Sequence, residues 1–167
     1  MDKQEKPELR AKEVPLKKPK RKNGTRRGYF TPSNPEKYEG KVDQIIYRSK
    51  IELRMMKYLD SHPSILKWSS EEVVIPYVKP TDGKVHRYFV DFKVQRKTKT
   101  GEIKTALVEV KWSTSAVAPK VPKRKTRRYL NEQTNWLINQ AKWAAAKKVC
   151  EHNGWEWLIM TEKQLSY

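Results

Sequence analysis

Cysteine occurs once in the 167 residues, at Cys150, so no disulfide can close within the chain. Falling inside an expected helix, Cys150 reads as a small core hydrophobe with little reason to act as a nucleophile. The three histidines, His62, His86 and His152, are scattered without ligand spacing, which argues against a structural zinc site. No long apolar run and no basic amphipathic helix dominates, and the first residues are charged throughout. Neither a signal peptide nor a membrane span is expected, and the chain should work in a cytosol-like compartment. Negative charge is also scarce: 19 Asp and Glu stand against 37 Lys and Arg, a formal charge of +18. Such an excess implies a polyanionic partner, and aromatic residues lying among the basic ones favour nucleic acid over a membrane surface. A ribosomal-type or scaffold protein that merely neutralises phosphate would carry the same charge, so composition points to the partner and not to an activity.

The residues that carry chemistry gather between Tyr88 and Trp112, YFVDFKVQRKTKTGEIKTALVEVKW, which reads as two strands joined by a turn. In the first, Tyr88, Val90, Phe92 and Val94 alternate onto one face and leave Asp91 on the other, beside Phe89 and Lys93. In the second, Ala106, Val108, Val110 and Trp112 share one face while Leu107, Glu109 and Lys111 share the opposite one. A hairpin over Thr100-Gly101 would bring Asp91, Glu109 and Lys111 to one spot. Two carboxylates there are hard oxygen ligands for Mg2+ or Mn2+, and an ammonium beside them can orient or help deprotonate a water. A solvated strand face would explain any one of these acids alone. Strands rich in β-branched and aromatic residues on both faces point instead to a central position, where a buried acid needs a partner or a metal.

Asp91, followed by Glu109-x-Lys111, resembles the PD-(D/E)xK nuclease pattern, with Val90 standing where that pattern has proline. The order YRSKIELRMMKYLDSHPSILKWSSEEVVIPY from Tyr47 to Tyr77, then RYFVDF and VEVKW, is similar to the head completion nucleases of T4-like tailed phages. It is more distantly similar to TnsA-type transposon endonucleases. The likeness runs from about Tyr38 to the C-terminus. It implies a basic N-terminal arm over residues 1–37 and a nuclease-like domain over 38–167.

Residues 1–28 are Lys, Arg, Glu and Pro with almost no large apolar side chain, and cannot bury a core alone. Within them LKKPKRKNGTRR carries Lys17, Lys18, Lys20, Arg21 and Lys22, a run that would lie along DNA phosphates or dock on an acidic protein surface. A purely solubilising tail is the alternative. Tyr29, Phe30 and Tyr38 could pin the following arm to the domain. A helix is expected from Ser49, with Ser49 and Glu52 forming a capping box and Ile51, Met55, Tyr58 and Leu59 its buried stripe. Capping would fully account for Glu52; the resemblance implies that this glutamate leans from the first helix into the metal site.

A strand over 71–78, broken toward an edge by Pro76, is expected to complete a three-stranded meander with the two strands of that hairpin. Glu71 and Glu72 on it are further acidic candidates. The stretch APKVPKRKTRRYL then places Lys120, Lys123, Arg124, Lys125, Arg127 and Arg128 next to the motif, where they could grip backbone flanking a scissile phosphate. A helix follows from Tyr129 to about His152, with Leu130, Leu137, Ala141, Ala144 and Ala145 on one face and Trp136 and Trp143 as packing anchors. Gln140 between the tryptophans could approach the site. Trp155–Met160 is a last buried strand, expected parallel to a neighbour, and Thr161 with Gln164 suggests a short terminal helix.

The expected architecture is α/β: a restriction-endonuclease-like mixed sheet of about four or five strands flanked by two helices, with a basic extended arm. The expected function is a metal-dependent DNA endonuclease of phage head completion. Asp91, Glu109 and the Val110 carbonyl would ligate Mg2+ or Mn2+, Lys111 would position the attacking water and Glu52 would support a second ion or that water. Double-stranded DNA is the partner, with portal or neck proteins of a phage head as further candidates and no membrane; the location is the virion or the host cytoplasm. Two alternatives stay open: a catalytically silent head or neck protein that holds DNA or the portal, and a transposon-end or junction endonuclease.

Overall fold

The computed structural model describes residues 27–165, so the basic run from Lys17 to Lys22 lies outside the described residues. In chain order the elements are β1 (Gly28–Tyr29), β2 (Ile46–Tyr47), α1 (Lys50–Ser61), β3 (Ile65–Ser70), β4 (Val74–Val78), β5 (Val85–Phe89), β6 (Phe92–Lys97), β7 (Ile103–Val110), α2 (Arg127–Asn153) and β8 (Glu156–Met160). The main sheet has four strands in the order β3-β6-β7-β8. β6 is antiparallel to both β3 and β7, and the β6–β7 turn carries Gly101 at φ 87°. β8 returns parallel to β7 after α2, as a strand-helix-strand path requires. The fold is the mixed α/β architecture expected of a restriction-endonuclease-like domain.

Ser49 caps α1: its hydroxyl accepts the Glu52 N–H at 3.2 Å, and Ile51, Met55, Met56 and Leu59 recur at helical spacing and are buried. That stripe packs with Trp68, Phe92, Val108 and Val110 in one core cluster. Phe30 and Tyr38 set their rings edge-on to Trp68 at 6.0 and 4.7 Å, so the segment ahead of α1 is held against the same core. Tyr29 stays exposed. Asp60, buried at the end of α1, accepts the backbone N–H groups of Ser33 and Asn34 at 2.8 and 3.0 Å, which satisfies its charge. Thr126 caps α2 through the Tyr129 N–H, and Gly154 closes it in the left-handed conformation at φ 66°.

A second cluster lies between α2, the β4–β5 ribbon and the other face of the sheet: Ile75, Tyr77, Tyr88, Val90, Leu107, Ala146 and Cys150. The α2 leucines do not join it, contrary to the face that the sequence pattern predicts. Leu130 and Leu137 are exposed, because the helix turns Ile138, Ala141, Ala145 and Val149 inward instead. β8 is half-buried rather than fully buried, as its place at the sheet edge dictates, and residues 162–165 form a turn in place of the expected helix.

The three-stranded meander is corrected as well. β4 and β5 pair only with each other, in a two-stranded ribbon separate from the main sheet. The run from Tyr88 to Val94 is therefore two strands, broken at Val90–Asp91. Its alternation of burial persists across the break, yet Tyr88 and Val90 enter the second cluster while Phe92 and Val94 enter the first. A straight strand would have carried all four to one face. Because both faces of the sheet are covered, alternation alone could not reveal the change of side.

Candidate active site

The break in that run is what places Asp91. Val90 N–H bonds the Val73 carbonyl at 3.0 Å and the Asp91 carbonyl accepts the Glu71 N–H at 3.2 Å, so the bend is tied to the β3–β4 connection from both sides. Glu71 itself sits at φ 58°, a left-handed conformation uncommon outside glycine. Downstream, β6 pairs with β7 in a register that sets Phe92 opposite Val108, and one further step brings Asp91 level with Glu109. The Val110 N–H then donates to Asp91 Oδ2 at 2.9 Å.

Glu109 and Lys111 leave β7 on the same side, two residues apart, and Lys111 Nζ lies 2.8 Å from Glu109 Oε1. Glu109 is 2% exposed, so its second oxygen also needs a donor; the Tyr88 hydroxyl supplies one to Oε2 at 2.5 Å. The structure thus brings Asp91, Glu109 and Lys111 together at the seam between ribbon and sheet. The sequence pattern marks Tyr88 only as a core side chain. Its position three residues before Asp91 on an alternating strand is the available signal, and the bend decides which carboxylate it meets.

Burial pushes the Asp91 carboxyl well above the usual carboxylate range, and Glu109 pushes it further; Lys111 and the Val110 N–H work against that shift. Burial pulls the Lys111 ammonium down, but the charge and hydrogen bond of Glu109, with Asp91 and Glu52 behind them, outweigh it and hold Lys111 above its ordinary value. The Tyr88 hydroxyl is driven far above the phenol range, first by burial and then by Glu109, and stays a proton donor.

Glu52 keeps its capping role and faces the same charges. Its Oε1 accepts the Ser49 hydroxyl at 2.8 Å and its Oε2 the Arg48 N–H at 2.6 Å, while its charge is felt at Asp91 and Lys111. The Arg48 guanidinium pairs with Glu71. Glu72 faces out beside a shallow pocket that includes Tyr38.

Among the described residues no three His, Cys, Asp or Glu side chains gather as a metal-holding group. The site instead offers two carboxylates close enough to feel each other's charge, and an Asp91 Oδ1 that no donor among the described residues occupies. Crowded negative charge of that kind, with oxygen donors only, suits a hard divalent cation that keeps several waters and takes one or two carboxylates.

Beyond β7 the chain makes a turn at Ser113–Ser115, tied down by Glu162, which accepts the Ser113 N–H at 2.7 Å and its hydroxyl at 2.6 Å. Lys120, Lys123, Arg124 and Lys125 follow on an exposed connection, and Arg127 and Arg128 open α2. Two arginines and no acid in a helix's first turn oppose the macrodipole, a departure from local preference that a phosphate ligand would reverse. Arg128 is partly engaged, with Nε 2.8 Å from Glu132. Between this connection, α2 and the ribbon lies a cavity of about 960 Å³ with Lys111 at its wall. Gln140 is exposed and does not reach it; Asn135, Asn139 and Lys142, on one face of α2 at helical spacing, line it instead. Among the described residues no helix is long and apolar enough to cross a membrane.

Residues 62–162 match a family model described as TnsA-like endonuclease N terminal. That span takes in Asp91, Glu109 and Lys111 and begins after Glu52. The head completion nuclease of Enterobacteria phage T4 is 35% identical over 142 residues, an overlap of 83% of this chain and 92% of that protein.

Proposed function

The chain belongs to the TnsA-like endonuclease family, and from that premise we propose that it is a divalent-cation-dependent DNA endonuclease acting in completion of a tailed-phage head. The observation that carries this reading is the convergence of Asp91, Glu109 and Lys111 at one seam, linked through bonds of 2.9 and 2.8 Å to the backbone and to each other.

Asp91, Glu109 and the Val110 carbonyl would hold Mg2+ or Mn2+. When bound, such an ion supplies positive charge to a phosphodiester's oxygens and lowers the pKa of water. Lys111, kept protonated by Glu109, donates to the attacking water and to charge growing on the phosphate. Tyr88 aims the Glu109 carboxylate by holding its second oxygen. Glu52, near enough to affect both Asp91 and Lys111, supports the same water from the start of α1. The cations from Lys120 to Arg128 grip the flanking backbone, an affinity that falls with salt and carries little sequence preference.

Plasmid nicking in Mg2+ or Mn2+ by the wild type and by Lys111→Ala tests the reading. Loss of nicking in the variant supports it, and equal rates remove Lys111 from the chemistry. A second reading draws on the same geometry: both Glu109 oxygens already have donors, which suits a head or neck protein that holds DNA without cutting it. That reading predicts tight, salt-sensitive binding and no nicking with any divalent ion.

A further inference from the structure

Lys142 projects from α2 into the cavity beside Lys111 and takes no part in the chemistry assigned to Asp91, Glu109 and Lys111. Its ammonium lies 5.4 Å from the centre of the Tyr88 ring and 5.7 Å from that of Tyr77, so it rests against the ribbon's aromatic side chains. It is half-buried, yet it forms no ion pair or hydrogen bond among the described residues. Lys79, just past the end of β4, is also half-buried and lines the same cavity; among the described residues it forms no direct ion pair, and the acid whose charge it meets is Asp82, in the β4–β5 turn. Burial lowers the Lys142 ammonium from its ordinary value, and the nearby charges of Lys111 and Lys79 act in the same direction, opposed by Glu109 and Asp91.

Three ammonium groups facing one cavity repel one another, and none of Glu109, Asp91 and Asp82, whose charges reach Lys142 or Lys79, lines that cavity. Glu132 is the sole acid lining that cavity among the described residues, and it is drawn to Arg128. An anionic ligand in the cavity would meet all three ammonium groups at once. Lys111, which the proposed chemistry sets beside the scissile phosphate, lines the same cavity, so an anion held by Lys142 and Lys79 would belong to the same strand.

We propose that Lys142 and Lys79 form a seat for a DNA phosphate neighbouring the one cut, which holds the strand in register against Lys111. The proposal rests on the endonuclease reading only for the word "cut"; the seat itself is a binding site. Lys142 keeps the strand in place through charge and hydrogen bonds, and Tyr88 couples that seat to Glu109, since one ring carries both the ammonium and the donated hydroxyl.

The test uses the full chain and a short end-labelled DNA duplex, with wild type, Lys142→Met, Lys142→Arg and Lys79→Met. Methionine retains an unbranched stem beside the tyrosine rings and removes the charge. Binding is measured by anisotropy across a salt series, with nicking followed in parallel. Each Met variant is expected to weaken binding by about tenfold and to flatten the slope of log affinity against log salt by about 0.9, as one fewer neutralised phosphate requires. Nicking by the Met variants should show a raised KM with a smaller change in kcat, and Lys142→Arg should restore binding. Wild-type affinity and slope in Lys142→Met would overturn the seat. If wild type fails to nick but binding still depends on Lys142, the seat stands and the endonuclease reading falls.

Discussion

Tyr88 donates its hydroxyl to Glu109 Oε2 at 2.5 Å across the seam between the ribbon and the main sheet. With Lys111 on the other oxygen, the carboxylate is fixed at both ends, and its orientation depends on two elements that do not share a sheet. Hydrogen bonds to charged groups contribute about 1.5–3 kcal/mol, so Tyr88→Phe should lower the unfolding free energy by that amount. Urea unfolding checks it through a lower midpoint at unchanged slope. An unshifted midpoint would mean that Glu109 finds another donor and that Tyr88 has no aiming role.

Asp91 gives stability a definite pH dependence. Its folded carboxyl holds a proton more tightly than the ordinary value of 3.8 allows, so the folded chain binds more protons than the unfolded one between those two values. Stability therefore falls as pH rises from the ordinary carboxylate value toward the raised one, at up to about 1.4 kcal/mol per pH unit. Asp91→Asn should abolish that decline, melting above wild type at neutral pH while failing to nick DNA. Adding Mg2+ or Mn2+ should raise the wild-type melting temperature and leave Asp91→Asn unmoved; a hundredfold excess over Kd is worth about 2.7 kcal/mol. Parallel melting curves for the two proteins across the pH range would remove Asp91 as the source of the decline.

Glu52 can be assigned by separating its two tasks. Glu52→Ala removes an acceptor from both Ser49 and Arg48 and should cost about 0.5–2 kcal/mol of stability, as cap losses do. Glu52→Gln retains an acceptor oxygen and should melt near wild type. A stable Glu52→Gln protein with nicking reduced tenfold or more places the carboxylate in the chemistry, whereas full nicking confines Glu52 to capping.

The exposed cations after β7 should bind phosphates with no sequence reading. Replacing Lys123, Arg124 and Lys125 by Ala should weaken binding to unrelated duplexes alike and lower the salt slope by about 0.9 for each phosphate no longer neutralised. Weakening on one sequence and not another would show that this stretch reads bases.

The start of α1 at Ser49, the body of α2 and the strand pairing around Gly101 are legible in local chemistry, whereas the Thr126 cap, three residues ahead of the expected start of α2, and the turn in place of a terminal helix are not. Asp91, Glu109 and Lys111 are also within reach, since alternation puts Glu109 and Lys111 on one side and the turn fixes the register. The bend at Val90–Asp91 is not. It arises where two covered faces meet, and a residue buried in either core looks the same in a sequence. The inward face of α2 escapes sequence reasoning for a related reason: leucines outweigh alanines in any hydrophobicity pattern, yet the close approach of the ribbon favours Ala141, Ala145 and Ala146 and leaves Leu137 outside. Lys142 is a residue of solvent by type, and only the packing of β4 and β5 against α2 turns it toward Tyr77 and Tyr88.

The two clusters also divide responsibility for the seam. Phe92, Val108 and Val110 belong to the α1 side, whereas Tyr88, Val90 and Leu107 belong to the α2 side. The grip on Glu109 therefore needs both halves packed at once, since Tyr88 is held from the α2 side while Val108 and Val110, on either side of Glu109, are held from the α1 side.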